Sequence, residues 1–256
     1  MSAPLGAIVE DLDVRSVESD TATELDKLFS QHHLLVFPNQ DLTPEDHTNF
    51  AKHWGELVQF PYGGLPDYPD IIVLKNRGKA KDVNQHWHTD MSYNQAPPKL
   101  TMLYAHTAPE FGGDTAFSNQ HLAYQELSDA FKLTFKDATA FHSAAGLAKL
   151  YNQDSDNAPR ATHPIFRPHE VTGELALYVC RAFTQKITGW TRAESKPVLE
   201  YLFEHAVKME YQARHHWRKG DLVMWDNRSV LHYAVHDHGD DDRVIHRLQV
   251  QGESTL

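Results

Sequence analysis

What most constrains this chain is its punctuation. Short apolar segments recur along its whole length, and each is soon closed by glycine, proline or asparagine. The segment Leu34–Phe37 ends at Pro38-Asn39-Gln40, and the segment 71–74 follows a proline- and glycine-rich stretch over 59–70. Segment 100–106 follows Pro97-Pro98, and Gly112-Gly113-Asp114-Thr115 turns tightly into Ala116-Phe117. Thr172-Gly173 joins 165–166 to 175–179 as a hairpin. Residues 138–142, 209–217, 222–225 and 244–250 read as further strands. A parallel α/β sheet needs regular strand–helix alternation, which is missing here. The pattern predicts a mainly β fold, an antiparallel barrel or jelly roll, with helices padding its outside.

Four helices are expected. Thr21 and Glu24 form a capping-box signal ahead of a face made of Leu25, Leu28 and Phe29. Thr43-Pro44 is an N-cap followed by proline at the first helical position, with Phe50, Ala51 and Trp54 inward and a stop at Gly55. A third helix runs from about Asn119 with Leu122, Leu127 and Phe131 buried, and a fourth covers 194–208 with Leu199, Leu202, Phe203 and Ala206 inward. Residues 143–163 show no sustained period and read as a loop. Loops of that length in a domain often serve as lids. No internal repeat, low-complexity tract or linker divides the chain, so residues 1–256 are expected to form one domain.

Composition enters by exclusion. A formal net charge of -11 argues against nucleic-acid and anionic-membrane partners, which need basic surfaces. No apolar run approaches the roughly 20 residues that span a bilayer, and no secretory signal is visible at the start. The single Cys180 precludes an intrachain disulfide and fits a reducing, cytoplasmic setting; its apolar surroundings make it an inert thiol.

The stretch with chemical content is His86-Trp87-His88-Thr89-Asp90. In an extended strand, side chains at i and i+2 share a face, so His88 and Asp90 can reach one small object. A neutral imidazole and a carboxylate suit a divalent transition metal, and one distant histidine would complete a two-His-one-carboxylate set with open positions. His232 is the candidate. The short motif alone is weak, since about two or three His-x-acid matches are expected from composition. The chain has His88-Thr-Asp90 and also His238-Gly-Asp240, which lies in an acidic turn. On the motif alone, a buried, hydrogen-bonded strand histidine is the plainer reading of His88.

Four motifs in order carry a further reading: Trp87-His88-Thr89-Asp90, Gly112-Gly113-Asp114-Thr115, Trp225-Asp226-Asn227-Arg228, and His232 with Arg243 and Arg247. With them the chain resembles, over nearly its whole length, the taurine/2-oxoglutarate dioxygenase family, which includes taurine and phenoxyacetate dioxygenases. The resemblance implies a double-stranded β-helix, a form of jelly roll. It implies His88, Asp90 and His232 as Fe(II) ligands, and Thr115 and Arg243 as the site for the distal carboxylate of 2-oxoglutarate. It places Tyr62, Asn84, Phe183 and Arg247 around the substrate, with Arg247 facing an anionic group. Gln59 stands where the taurine enzymes have a histidine on the sulfonate, a departure that weakens the case for taurine itself. The implied reaction consumes O2 and 2-oxoglutarate, releases succinate and CO2, and hydroxylates a small organic sulfonate or carboxylate. Relatives that form dimers or tetramers imply a homo-oligomer. The alternatives are an aryloxyalkanoate or alkyl-sulfate dioxygenase of the same family, a zinc hydrolase using the same three ligands, and a non-catalytic jelly-roll binding protein.

Overall fold

Alternation along three central strands sets the architecture. In β5 (Leu100–Thr107), Met102 and Tyr104 face one side, while Thr101, Leu103 and Ala105 face the other. In β13 (Leu222–Asp226), Leu222 and Met224 oppose Val223 and Trp225; in β15 (Arg243–Val250), Leu248 and Val250 oppose Ile245. Both faces of β13 and most of β5 are buried, which is why they read as largely apolar, whereas β15 sets Arg243, His246, Arg247 and Gln249 among its apolar positions.

The computed structural model describes residues 4–59, 64–76, 86–239 and 242–255. Its seven-stranded sheet has the order β1 (Ala7–Ile8), β2 (Leu34–Phe37), β13, β5, β15, β4 (Tyr68–Asn76) and β3 (Gly64–Leu65). Only β1 and β2 pair in parallel in that sheet. A three-stranded sheet, β12 (Gln212–His215), β6 (Thr115–Asn119) and β14 (Val230–Ala234), lies across from it. Phe117 and Val230 from the small sheet meet Leu103, Val223, Trp225 and Ile245 from the large one, and this shared core is the inside of the molecule.

Helices α1 (Ser19–His32) and α2 (Pro44–Lys52) cover the outer face of the large sheet through Leu25, Phe29, Phe50 and Trp54. A third layer combines β7 (Thr139–Ser143), β8 (Arg160–Pro164) and β11 (Thr184–Ile187) with the hairpin β9 (Phe166–Pro168)–β10 (Leu175–Leu177). Helices α3 (Gln120–Gln125), α4 (Asp129–Phe135) and α6 (Arg192–His205) pack on it. Among the described residues, no helix is long and apolar enough to cross a membrane.

Several local expectations change. Helix α1 starts at Ser19, so Thr21 and Glu24 lie inside it; no capping box forms there, and Glu24 pairs with Lys27 at 2.7 Å. Leu28 is exposed while Leu25 and Phe29 are buried. The helix expected from Asn119 is two helices, because Ser128 caps a new start by accepting from the Phe131 N–H. The segment 143–163 contains a short helix, α5 (Ala145–Leu150), and ends in β8. Strand β14, which carries His232, is not among the strands expected.

Candidate metal site

His88 is not in a continuous strand. It makes an isolated antiparallel bridge to His232, with His88 N donating to His232 O at 3.1 Å and His232 N to His88 O at 2.8 Å. Residues exchanging both hydrogen bonds sit directly opposite and project to the same face. The two imidazoles are therefore brought together by backbone pairing, with ring centroids 4.1 Å apart. Asp90 follows in a turn, with Met91 at φ 49, so a bend replaces the i, i+2 strand geometry expected for the pair.

The three side chains converge. Asp90 Oδ1 lies 3.7 Å from both His88 Nε2 and His232 Nε2. One ligand atom from each residue falls within 4.8 Å of the others, and all three residues are buried. His88 Nδ1 donates to the His86 carbonyl at 2.8 Å, which leaves the Nε2 lone pair on the shared centre. His232 is held differently, by Trp225 at 4.7 Å and by stacking on Phe117 at 6.5 Å between ring centroids.

A buried chain of hydrogen bonds fixes Asp90. Thr101 Oγ1 donates to Asp90 Oδ2 at 2.7 Å and itself accepts from Asn227 Nδ2 at 2.8 Å and Gln249 Nε2 at 3.0 Å. Trp225 Nε1 holds the other end of Asn227 at 2.9 Å, and Thr89 donates to the Asn227 carbonyl at 2.6 Å. Oδ2 is thus occupied and Oδ1 faces the two imidazoles. Burial works against the charge on Asp90, but His232, Arg247 and His88 and the Thr101 hydroxyl outweigh it, and the carboxyl sits at about 2. Burial and His88 push His232 down to about 3, so it is neutral near pH 7. With that imidazole neutral, Arg247 and Thr101 are the partners that keep Asp90 ionised. Two imidazoles and an ionised carboxylate in a buried pocket are a donor set that fits a divalent iron-type ion.

Beside the triad lies a cavity lined by Asp90, His232, Leu74, Leu103, Thr115, Trp225, Ala234, Arg243 and Arg247. Strand alternation brings both arginines to it, four residues apart on the inward face of β15. Arg243 is buried. Its Nε donates to the Gly113 carbonyl at 3.1 Å, and its guanidinium carbon lies 5.7 Å from the centre of the Trp217 ring. Gly112 and Gly113 both have positive φ, and a Cβ on Gly113 would come within 3.3 Å of the Arg243 side chain. Among the described residues no carboxylate forms an ion pair with Arg243; burial pulls it down to about 10, while Asp114 pulls the other way. Trp217 Nε1 donates to Thr115 Oγ1 at 2.9 Å, which leaves the threonine hydroxyl proton free to turn to a ligand.

The remaining candidates divide. Phe183 is buried with its ring edge-on to His88 at 6.2 Å and to Tyr93 at 4.9 Å. Gln59 is exposed and lines a surface cleft with Lys52, Glu56 and Asp70, apart from the triad cavity. Tyr62 and Asn84 lie outside the described residues. The carboxylate of Asp226 is fully engaged elsewhere: Arg228 binds it through Nε at 2.8 Å and Nη2 at 2.6 Å, and His169 Nε2 at 2.8 Å. Thr101, Gln249 and Trp217 were not foreseen as site residues. No spacing rule announces them, because each acts through a partner far away in sequence.

The taurine catabolism dioxygenase TauD, TfdA family matches residues 2–249. The chain is 31% identical to an alpha-ketoglutarate-dependent sulfate ester dioxygenase of Pseudomonas putida, over 95% of this chain and 83% of that protein. It is 32% identical to an alpha-ketoglutarate-dependent 2,4-dichlorophenoxyacetate dioxygenase of Cupriavidus pinatubonensis, over 88% of this chain and 86% of the relative. A crystal structure described as a putative alpha-ketoglutarate-dependent taurine dioxygenase from Burkholderia xenovorans superposes with a TM-score of 0.89 at 30% identity, covering 99% of this chain and 91% of that one.

Proposed function

The chain belongs to the taurine catabolism dioxygenase TauD, TfdA family, with its double-stranded β-helix fold, and from that premise we propose that it is an Fe(II)- and 2-oxoglutarate-dependent dioxygenase hydroxylating a small organic anion. The observation that carries this reading is one cavity holding the His88/Asp90/His232 triad together with two arginines. Iron bound by the triad supplies O2 activation and couples decarboxylation of 2-oxoglutarate to hydroxylation of a C–H bond. Arg243 and Thr115 hold the distal carboxylate of 2-oxoglutarate, since a guanidinium fork matches a carboxylate and the buried setting strengthens the pairing. Arg247, close enough to Asp90 to bias its charge, orients the anionic group of the substrate. Phe183 forms an apolar wall beside His88 and keeps water from that side. A zinc hydrolase would leave the Thr115–Arg243 pocket without a purpose.

The substrate class is a sulfonate, sulfate ester or aryloxyalkanoate, the range named among the relatives. Tyr62 and Asn84 remain its proposed further contacts; Gln59, which lines the separate cleft, is not among them. The segment 143–163 is proposed to cover the substrate; its ends are tied down by Ser143 N to the Phe183 carbonyl at 2.9 Å and by His163 Nε2 to the Ser92 carbonyl at 2.7 Å. The same reading carries a single-domain, cytoplasmic homo-oligomer with neither nucleic-acid nor membrane partner. The test is a panel of sulfonates, alkyl sulfates, aryloxyalkanoates and amino acids scored by substrate-stimulated succinate release. One class should stimulate release with Fe(II) and none with Zn(II). Absence of succinate from every member, with iron bound, would refute the reading.

A further inference from the structure

Away from the triad, three histidines gather where helix α1, helix α3 and the β9–β10 hairpin meet. Ring centroids of His33 and His121 are 4.8 Å apart, and His169 stands 5.8 Å from His121 and 6.5 Å from His33. His169 is fully committed: Nε2 meets Asp226 at 2.8 Å, and Nδ1 accepts from the N–H groups of Val171 and Thr172 at 3.3 and 3.2 Å. The other two rings are not. His121 Nδ1 donates to the Leu175 carbonyl at 3.0 Å, so Nε2 carries the lone pair; that nitrogen is buried and has no hydrogen-bond partner among the described residues. His33 has one ring nitrogen near Ser229 Oγ, at 3.3 Å, and no hydrogen bond to the other among the described residues. The carboxylate of Glu174, exposed at the end of the hairpin, completes a set whose ligand atoms lie within 4.8 Å of one another.

We infer that His33, His121 and Glu174 form a second divalent-metal site, of the zinc type, that clasps α1, α3 and the β9–β10 hairpin together. Two imidazoles and one carboxylate are a three-residue zinc donor set, with water for the fourth position. The Leu175 carbonyl on His121 Nδ1 is the outer partner that orients a metal-binding imidazole. His33 adds a separate sign. It caps α1 at φ 60, a left-handed position that glycine usually fills, and its backbone is fastened by Phe29 O at 2.7 Å and Asp226 N at 3.0 Å. A side chain is thereby kept where the backbone alone favours none. Glu174 offers the solvent-side approach and a negative charge to balance the ion. The site shares no residue with the triad and goes beyond the proposed activity.

The test uses the full chain with Asp90→Ala and His232→Ala, which silences the triad, and zinc chloride as the probe. After chelator stripping, zinc addition and desalting, elemental analysis should find one zinc per chain, and zinc should raise the urea midpoint. Adding His121→Ala should abolish retention. Adding Glu174→Gln, an exposed change that leaves the core untouched, should weaken it by roughly tenfold or more, since even outer partners of metal ligands are worth that much. Zinc absent from the triad-silenced chain, or held equally after Glu174→Gln, would overturn the inference; in the first case the buried His121 nitrogen faces only water.

Discussion

Removing one hydroxyl should weaken metal binding without touching a ligand. In Thr101→Val the shape is kept, but Asp90 Oδ2 loses its 2.7 Å donor, and Asn227 Nδ2 and Gln249 Nε2 lose their acceptor. The bond to a charged group is worth about 1.5–3 kcal/mol, and each orphaned buried donor costs about 1–3 kcal/mol. Those costs fall mainly on the fold. The share borne by the metal is the value of holding Asp90 with Oδ1 inward, about 10–100-fold in affinity, or about 1.4–2.7 kcal/mol. The apparent Fe(II) requirement for succinate release should rise by that factor in Thr101→Val. Thr101→Ser, which keeps the hydroxyl, should stay near wild type. Circular dichroism confirms that both variants are folded before the comparison is made. An unchanged Fe(II) requirement in folded Thr101→Val would refute the idea that this chain of bonds orients the carboxylate.

His232→Ala should abolish iron-dependent turnover while circular dichroism stays native; turnover with iron still bound would mean the third ligand lies elsewhere. Arg243→Ala should raise the 2-oxoglutarate requirement by the worth of a charge-assisted bond, about 1.5–3 kcal/mol, with Arg243→Lys recovering only part of it; equal KM values in both variants would count against the carboxylate site. Arg247→Gln should raise the substrate KM strongly and leave substrate-independent 2-oxoglutarate turnover nearly intact, whereas a change in melting temperature alone would make Arg247 structural. Burial pushes His47 down to about 3, His163 to about 4 and His142 well below its usual value. The unfolded chain binds protons at these sites first, so their stabilisation is complete above about pH 6.5 and erodes as pH falls toward the folded values. Each contributes a slope of up to about 1.4 kcal/mol per pH unit. Urea midpoints should fall between pH 7.5 and pH 5, and a flat profile would show these rings are not buried neutral.

The central strands of the large sheet were legible because both faces of β13 and most of β5 are buried, so 222–225 and 100–105 stand out as largely apolar, while 244–250 was marked by Val244, Ile245, Leu248 and Val250 between polar residues. The Thr43-Pro44 start was legible because its cap is local: Thr43 and Asp46 form a capping box. The same rule failed at Thr21 and Glu24, because the helix begins two residues earlier, at Ser19, with Glu18 at the N-cap and no side-chain cap bond. In the site, residue types and order pointed to His88, Asp90 and His232, but the extended strand argued to align His88 with Asp90 is a bridge followed by a turn. What joins them is a bridge between residues more than half the chain apart, and no local spacing records such a pairing. Thr101, Asn227 and Gln249 were illegible as a unit for the same reason, since their connection passes through hydrogen bonds across strands.

The reciprocal bridge between His88 and His232 also bears on when iron can be captured during synthesis. Translation at roughly 5–20 residues per second leaves many seconds in which the ribosome has delivered His88 and Asp90 but not β14. A nascent chain in that interval holds only two of the three donors, with neither one positioned by its partner strand. A redox-active ion caught there would be loosely held beside an unfolded chain open to oxidation. Because the backbone must pair before the imidazoles converge, tight loading waits for nearly complete translation, when the pocket walls that restrain the chemistry are already present.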